Sequence, residues 1–334
     1  MKGFLNILLV SLVCFALFAC DNEVELSADY EDTTVVYGLI NANADTQFIK
    51  VNQAFLDGNT NALSLAQDPD RLFYDNLIVQ LKDLSTLGVI PLDTIILPKE
   101  DGIFTTEKNI IYFTDSALRA NRNYRLEVIQ PDGKLTYADA VAIDTMQVTR
   151  PQIDNLRVRP LPLTSNNGSI LDYNFQFSHS ARVAEFEATL YLDYTEQLPD
   201  GSRVPKSIAI PIGKVVNDDL VARTDAEIEF PGRRFYETIA NSIDPSNQNP
   251  KILDPQRNIT IEIYAADEAF AFYADIFGPI DGLAQVRPEY TNVENGIGLF
   301  ASRSRTIAKT RLSDPSRQQL RTGGITGNLN FVDQ

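Results

Sequence analysis

The chain has 334 residues, with 45 Asp and Glu against 29 Lys and Arg and a formal charge of -16 at neutral pH. That balance argues against binding a nucleic-acid backbone, which depends on Lys and Arg displacing counterions, and against lying flat on anionic lipid. The only cysteines are Cys14 and Cys20 and the only histidine is His179, so neither a disulfide framework nor a His-rich zinc site has the residues it needs.

In chain order, Lys2 gives a short positive start, and Phe4 to Ala19 form an apolar run broken only by Asn6 and Ser11. The run is shorter than the roughly 20 residues of a spanning helix and reads as a signal peptide over residues 1–19. It closes on Leu17-Phe18-Ala19-Cys20, which resembles a bacterial lipobox, although Phe18 is bulky for its place. Cys20 is then the expected lipidation site, and its lipid is the one non-protein group anticipated. Residues 20–29 follow as a tether. Asp21, Glu23 and Glu25 resemble the acidic signal that sends some Gram-negative lipoproteins to the outer face of the outer membrane, with the periplasmic face as the alternative. The expected location is the outer membrane, lipid-anchored and facing the cell surface.

From residue 30 onward the apolar residues recur with the period of strands. Val79 and Leu81 alternate with Gln80 and Lys82, and Tyr124, Leu126 and Val128 alternate with Arg125 and Glu127. The same pattern returns at Tyr173, Phe175 and Phe177, at Phe186 to Tyr194, at Ile208 to Ile212 and at Ile259 to Ile263. Short strands punctuated by Pro-Asp-Gly turns indicate sandwiches rather than alternating βαβ units. The fold class is therefore mainly β, with a two-domain β-sandwich architecture. An immunoglobulin-like or fibronectin-like β-sandwich spans 30–148. A larger β-rich domain spans 149–334 and carries two short helices. Their boundary is placed in "DTMQVTRPQI", residues 144–153, where Pro151 ends a strand series. The helices are read from Phe235, Ile239 and Ile243 after Pro231-Gly232, and from Phe270, Tyr273 and Phe277 after a capping Asp267. Residues 57–76 are read as a long strandless connection, functional or mobile.

Chemistry is sparse. His179 shares the apolar side of its strand with Phe175 and Phe177, which suits a structural histidine better than a catalytic base. The glycines of "GGITGN" (323–328) and "NGIGLF" (295–300) lack the endings of phosphate-binding loops and read as turns. Asp68, Asp70 and Asp75 are loosely spaced oxygen donors without the order of a calcium loop, so they are weak candidates and no metal is expected. Carboxylates are abundant enough for a glycosidase-type pair, but none stands out, and the absence of tryptophan weakens a sugar-binding reading. A patch built from Phe270, Phe272, Tyr273 and Phe277 is the candidate interaction surface.

Several segments together resemble a known family. They are "VVYGLINANADTQFIKVNQAFLDGN" (35–59), "DGIF" (101–104), "NYRLEV" (123–128), "RRFYETIANSI" (233–243), "ITIEIYAADEAFAFYADIF" (259–277) and "NVENGIGLFASRSRT" (292–306). In this order they are similar to a Bacteroidota outer-membrane lipoprotein family labelled as a domain of unknown function. That resemblance implies a lipoprotein often encoded beside a TonB-dependent receptor, and it supplies no catalytic residue. The expected function is a non-catalytic accessory or binding subunit of a TonB-dependent transporter, with an outer-membrane β-barrel as partner and no nucleic acid. The alternatives are a structural or assembly subunit of another outer-membrane complex and, behind it, a carboxylate-based surface hydrolase.

Overall fold

The computed structural model describes residues 33–54, 64, 66–153, 158–278 and 290–334. The signal peptide, Cys20 and the acidic Asp21, Glu23 and Glu25 lie outside the described residues. No described helix is long and apolar enough to cross a membrane.

The first half opens with an antiparallel pair, Thr34–Ile40 (β1) and Gln47–Gln53 (β2), whose period-two alternation turns Val36, Ile40, Ile49 and Val51 inward. Pro69–Leu72 (α1) is a single turn inside the stretch read as a strandless connection. Asp68 caps it by accepting from the Asp70 N–H at 3.0 Å, and Pro69 occupies a first-turn position where its missing N–H does no harm. Six strands follow: Ile78–Asp83 (β3), Val89–Pro91 (β4), Asp93–Ile96 (β5), Ile110–Thr114 (β6), Arg122–Ile129 (β7) and Leu135–Ala142 (β8). β4, β3, β7 and β8 form one sheet in that order, whereas β2, β6 and β5 continue outward from β1 in another. Val79, Leu81, Tyr124, Leu126, Val128 and Ala138 of the first pack against Val36, Ile49, Val51 and Tyr112 of the second.

The second half holds Gln147–Arg150 (β9), Tyr173–His179 (β10), Glu185–Gln197 (β11), Arg203–Val216 (β12) and Arg223–Phe230 (β13). Gly232–Ser242 (α2), Lys251–Leu253 (β14), Ile259–Ala266 (β15), Glu268–Phe277 (α3), Gly296–Thr310 (β16), Asp314–Thr322 (α4) and Phe331–Asp333 (β17) complete it. β13, β10 and β9 make a three-stranded sheet. Its Phe175, Phe177 and Phe230 pack on Phe186, Leu190 and Leu192 of β11 and on Ile259, Ile261 and Ile263 of β15. Phe235, Tyr236 and Ile239 of α2 and Leu320 of α4 also enter this core. The protein is mainly β, a sandwich fold with short helices. Among the described residues four helices stand where two were expected: α1 and α4 are additions, and α4 carries only Ser316 and Leu320 as buried residues.

β16 joins the two halves. Gly296 to Ser302 pair in parallel with β1, and Arg303 to Thr310 pair antiparallel with β15. A ten-stranded sheet therefore runs β17-β14-β11-β15-β16-β1-β2-β6-β5, with β12 on the second edge of β11. Val293 and Phe300 belong to the first core although they lie some 150 residues beyond its other members. Gly296 and Gly298, read as a turn, lie inside this strand. At Gly298 φ is +120°, and a Cβ there would fall 1.9 Å from the Val36 carbonyl oxygen, so only glycine lets the two backbones approach.

Candidate functional site

Asp267 fixes the start of α3. Its Oδ1 accepts from the Phe270 N–H at 2.9 Å and its Oδ2 from the Ser302 N–H at 2.8 Å, so the helix is anchored directly to β16. Glu268 in the first turn suits the positive end of the helix dipole, and the Gly278 N–H closes the far end on the Ala274 carbonyl at 2.8 Å. Burial pushes the Asp267 carboxyl up to about 7, against the two backbone N–H groups that favour its charge.

The sequence of α3, Glu-Ala-Phe-Ala-Phe-Tyr-Ala-Asp-Ile-Phe, is apolar nearly all round, yet none of its residues is buried. Such a helix ordinarily sits inside a core. Here it lies on the outward side of β16 and β15. Phe272 is 53% exposed, with the Tyr290 ring edge-on at 4.9 Å, and the Tyr273 and Phe277 rings are 4.4 Å apart. All four aromatics of the sequence-derived patch remain outside the core.

The sheet extends this face. Tyr37 of β1 and Phe48 of β2 point away from the sandwich and are 48% and 51% exposed. Phe48 lies opposite Phe113 of β6 with ring centroids 6.5 Å apart. Phe270 and Tyr273 join Tyr37, Leu39, Phe48 and Arg303 around a groove of about 400 Å³. Burial, and then the adjacent Tyr273, raise the Tyr37 hydroxyl above its ordinary value. Tyr37, Phe48, Phe113 and Tyr290 were not among the candidates taken from sequence. The signal for two of them was present: in "TVVYGLI" and "QFIKVNQ" an aromatic occupies the strand side opposite the core residues.

Other residues singled out in the sequence lead elsewhere. His179 is buried at the end of β10 beside Phe186, with Nδ1 2.9 Å from the Ser180 carbonyl oxygen and no described partner for Nε2. Asp68 caps α1, Asp70 pairs with Lys108, and Asp75 is exposed. The structure does not bring the three together, and no group of three or more His, Cys, Asp or Glu side chains able to hold an ion occurs among the described residues. Asp193 and Asp254 line an open cleft of about 610 Å³ with Lys206, Arg257 and Lys309. The Asp193 carboxylate there accepts from Ser207 at 2.7 Å and from the Thr260 hydroxyl.

No curated protein matches the chain in sequence. Among solved structures, it resembles a cytokine receptor complex at 10% identity, covering 84% of this chain and 99% of that one with a TM-score of 0.22. It resembles the IG1 and IG2 domains of DIP-gamma at 8% identity, 71% and 91% coverage and a TM-score of 0.18. The C-terminal globular domain of an oligosaccharyltransferase from Pyrococcus abyssi matches at 10% identity, 84% and 50% coverage and a TM-score of 0.19. Likenesses this weak carry no argument. Sequence is more decisive, because one family model matches residues 21–307. The chain belongs to the family described as a domain of unknown function, DUF4249.

Proposed function

We propose that the protein is a lipid-anchored outer-membrane subunit that docks on a TonB-dependent β-barrel and performs no catalysis of its own. The observation that carries this reading is the aromatic face: an apolar helix with no buried residue, continued by exposed Tyr37 and Phe48 on the adjoining sheet. Contiguous exposed aromatics of this kind favour a protein partner, and aromatic residues carry a disproportionate share of binding energy at interfaces. The barrel is the occupant because the lipobox-like Leu17-Phe18-Ala19-Cys20 would anchor the chain in, and the acidic residues after it would direct it to, the membrane in which such barrels sit.

The test is a tagged pull-down from gently solubilised outer membranes, with co-purifying proteins identified by mass spectrometry. Stoichiometric recovery of a TonB-dependent barrel is expected with the natural chain. Phe272→Ser is expected to reduce that recovery by about tenfold or more, as for an interface anchor, without lowering stability, since the ring is half exposed. Recovery of an assembly barrel would replace this partner with another. Recovery of the lipoprotein alone would overturn the reading.

A further inference from the structure

A second concavity opens on the outward side of β1 and β2. It has a volume of about 570 Å³, and Tyr37 lines both it and the groove beside α3. Its walls are mostly apolar, from Val35, Tyr37, Leu72, Phe73 and Phe104, and two ammonium groups enter it. Lys50 reaches out from β2 with Nζ 5.0 Å from the centre of the Phe73 ring, and it donates to Asn109 Oδ1. Asn109 is buried and donates its own amide to the Leu97 carbonyl at 3.0 Å, which holds its oxygen toward the lysine. Lys99 stands with Nζ 5.1 Å from the centre of the Phe104 ring.

Neither lysine is paired with a described carboxylate. The lysine ion pairs of the described residues belong to Lys82, Lys108 and Lys214. In a chain where acids outnumber bases 45 to 29, two cations at one apolar cleft with no acid among its described lining are an unbalanced arrangement. Burial, and then the Lys99 charge, pull the Lys50 ammonium below its usual value. A bound anion would offset that cost at Lys50. The cleft also has the size and the predominantly apolar lining with few polar groups that small-molecule sites share.

We propose that this cleft binds an amphipathic carboxylate, its apolar body against Phe73 and Phe104 and its anionic head between Lys50 and Lys99. Charge-assisted hydrogen bonds from two ammonium groups supply the selectivity for the ionised head, and the aromatic walls supply affinity without selecting it.

The test uses the full chain and two probes of similar shape, 1-pyrenebutyrate and the uncharged 1-pyrenebutanol, titrated by fluorescence. The acid is expected to bind saturably and at least about tenfold more tightly than the alcohol. The Lys50→Met/Lys99→Met double variant is expected to bind both alike. Lys99→Met alone, at an exposed position, is expected to lie between, and it keeps the test valid if the double variant is poorly folded. Phe272→Ser, which alters only the aromatic face, is expected to leave the preference intact. Equal binding of the two probes by the natural chain, no saturable binding of the acid, or a preference that survives Lys99→Met undiminished would each overturn the proposal.

Discussion

Asp267 bonds through both carboxylate oxygens, one to the first turn of α3 and one to the backbone of β16. Its place before an apolar decapeptide marks it as a cap in the sequence, but the bond to Ser302 spans 35 residues and has no local signature. Burial raises the folded-state carboxyl from an ordinary 3.8 to about 7. Between these values the folded chain holds a proton that the unfolded chain has released. Its contribution to stability is therefore greatest at acid pH, falls as pH rises through the window and is constant above it. Asn at this position has no such proton to lose. Urea midpoints at several pH values from about 4 to about 7 are expected to show the natural chain losing stability relative to Asp267→Asn across that window. The variant has its own defect, because its amide NH2 must face one of the two N–H groups, at a cost of about 1–3 kcal/mol that does not vary with pH. A difference that stays flat over the window would show that the buried carboxyl is ionised throughout.

Among the elements, α4 shows what a sequence pattern hides. Ser313 before it, Asp314 and Pro315 in its first turn and Gly323 after it are good start and stop signals. Apolar periodicity nonetheless does not mark the helix, because its interior is polar and Leu320 is the single large apolar residue it buries. Its attachment is instead polar. Ser316 is fully buried, and its hydroxyl accepts from the Leu163 N–H at 2.9 Å and the Thr164 N–H at 3.0 Å. The Thr164 and Tyr236 hydroxyls, 2.7 Å apart, tie the same junction to α2. Ser316→Ala would leave two buried donors without an acceptor. Each costs about 1–3 kcal/mol, so a loss of about 2–6 kcal/mol is expected in the urea unfolding free energy. Ser313→Ala, at the cap itself, is expected to cost about 1 kcal/mol. Equal effects from the two substitutions would mean that the junction contributes no more than the cap. The strands, in contrast, were legible from alternation alone, since Val79, Leu81, Tyr124, Leu126, Phe175, Phe177, Ile259 and Ile261 all face a core.

At the scale of the whole molecule, the least legible feature is which strands meet. Period-two alternation says which side of a strand is buried and nothing about its neighbour, so the partner change of β16 between Ser302 and Arg303 could not be anticipated. The exposed aromatic face shares that difficulty, because Tyr37, Phe48 and α3 are brought side by side only by this pairing. The change of partner is well secured. Besides its bonds to Asp267, Ser302 accepts from the Ile143 N–H at 3.0 Å through its hydroxyl, and Thr306 bonds both the N–H and the carbonyl of Met146 at 3.0 Å. The link between the two cores is thus held to the same stretch of β16 that both sheets use. Phe300, fully buried in the first core, adds a side chain whose loss typically costs about 3–5 kcal/mol. Residues 33–148 expressed alone would lack Phe300 and Val293 and would leave β1 as an open edge along Thr34 to Ile40. Against a total stability of about 5–15 kcal/mol for a domain, that deficit is decisive. The fragment is expected to show no cooperative melt, and the full chain to melt in a single calorimetric transition that Phe300→Ala shifts as a whole. Two separate transitions, with only the first moved by Phe300→Ala, would mean that the halves fold independently and that β16 connects them without coupling them.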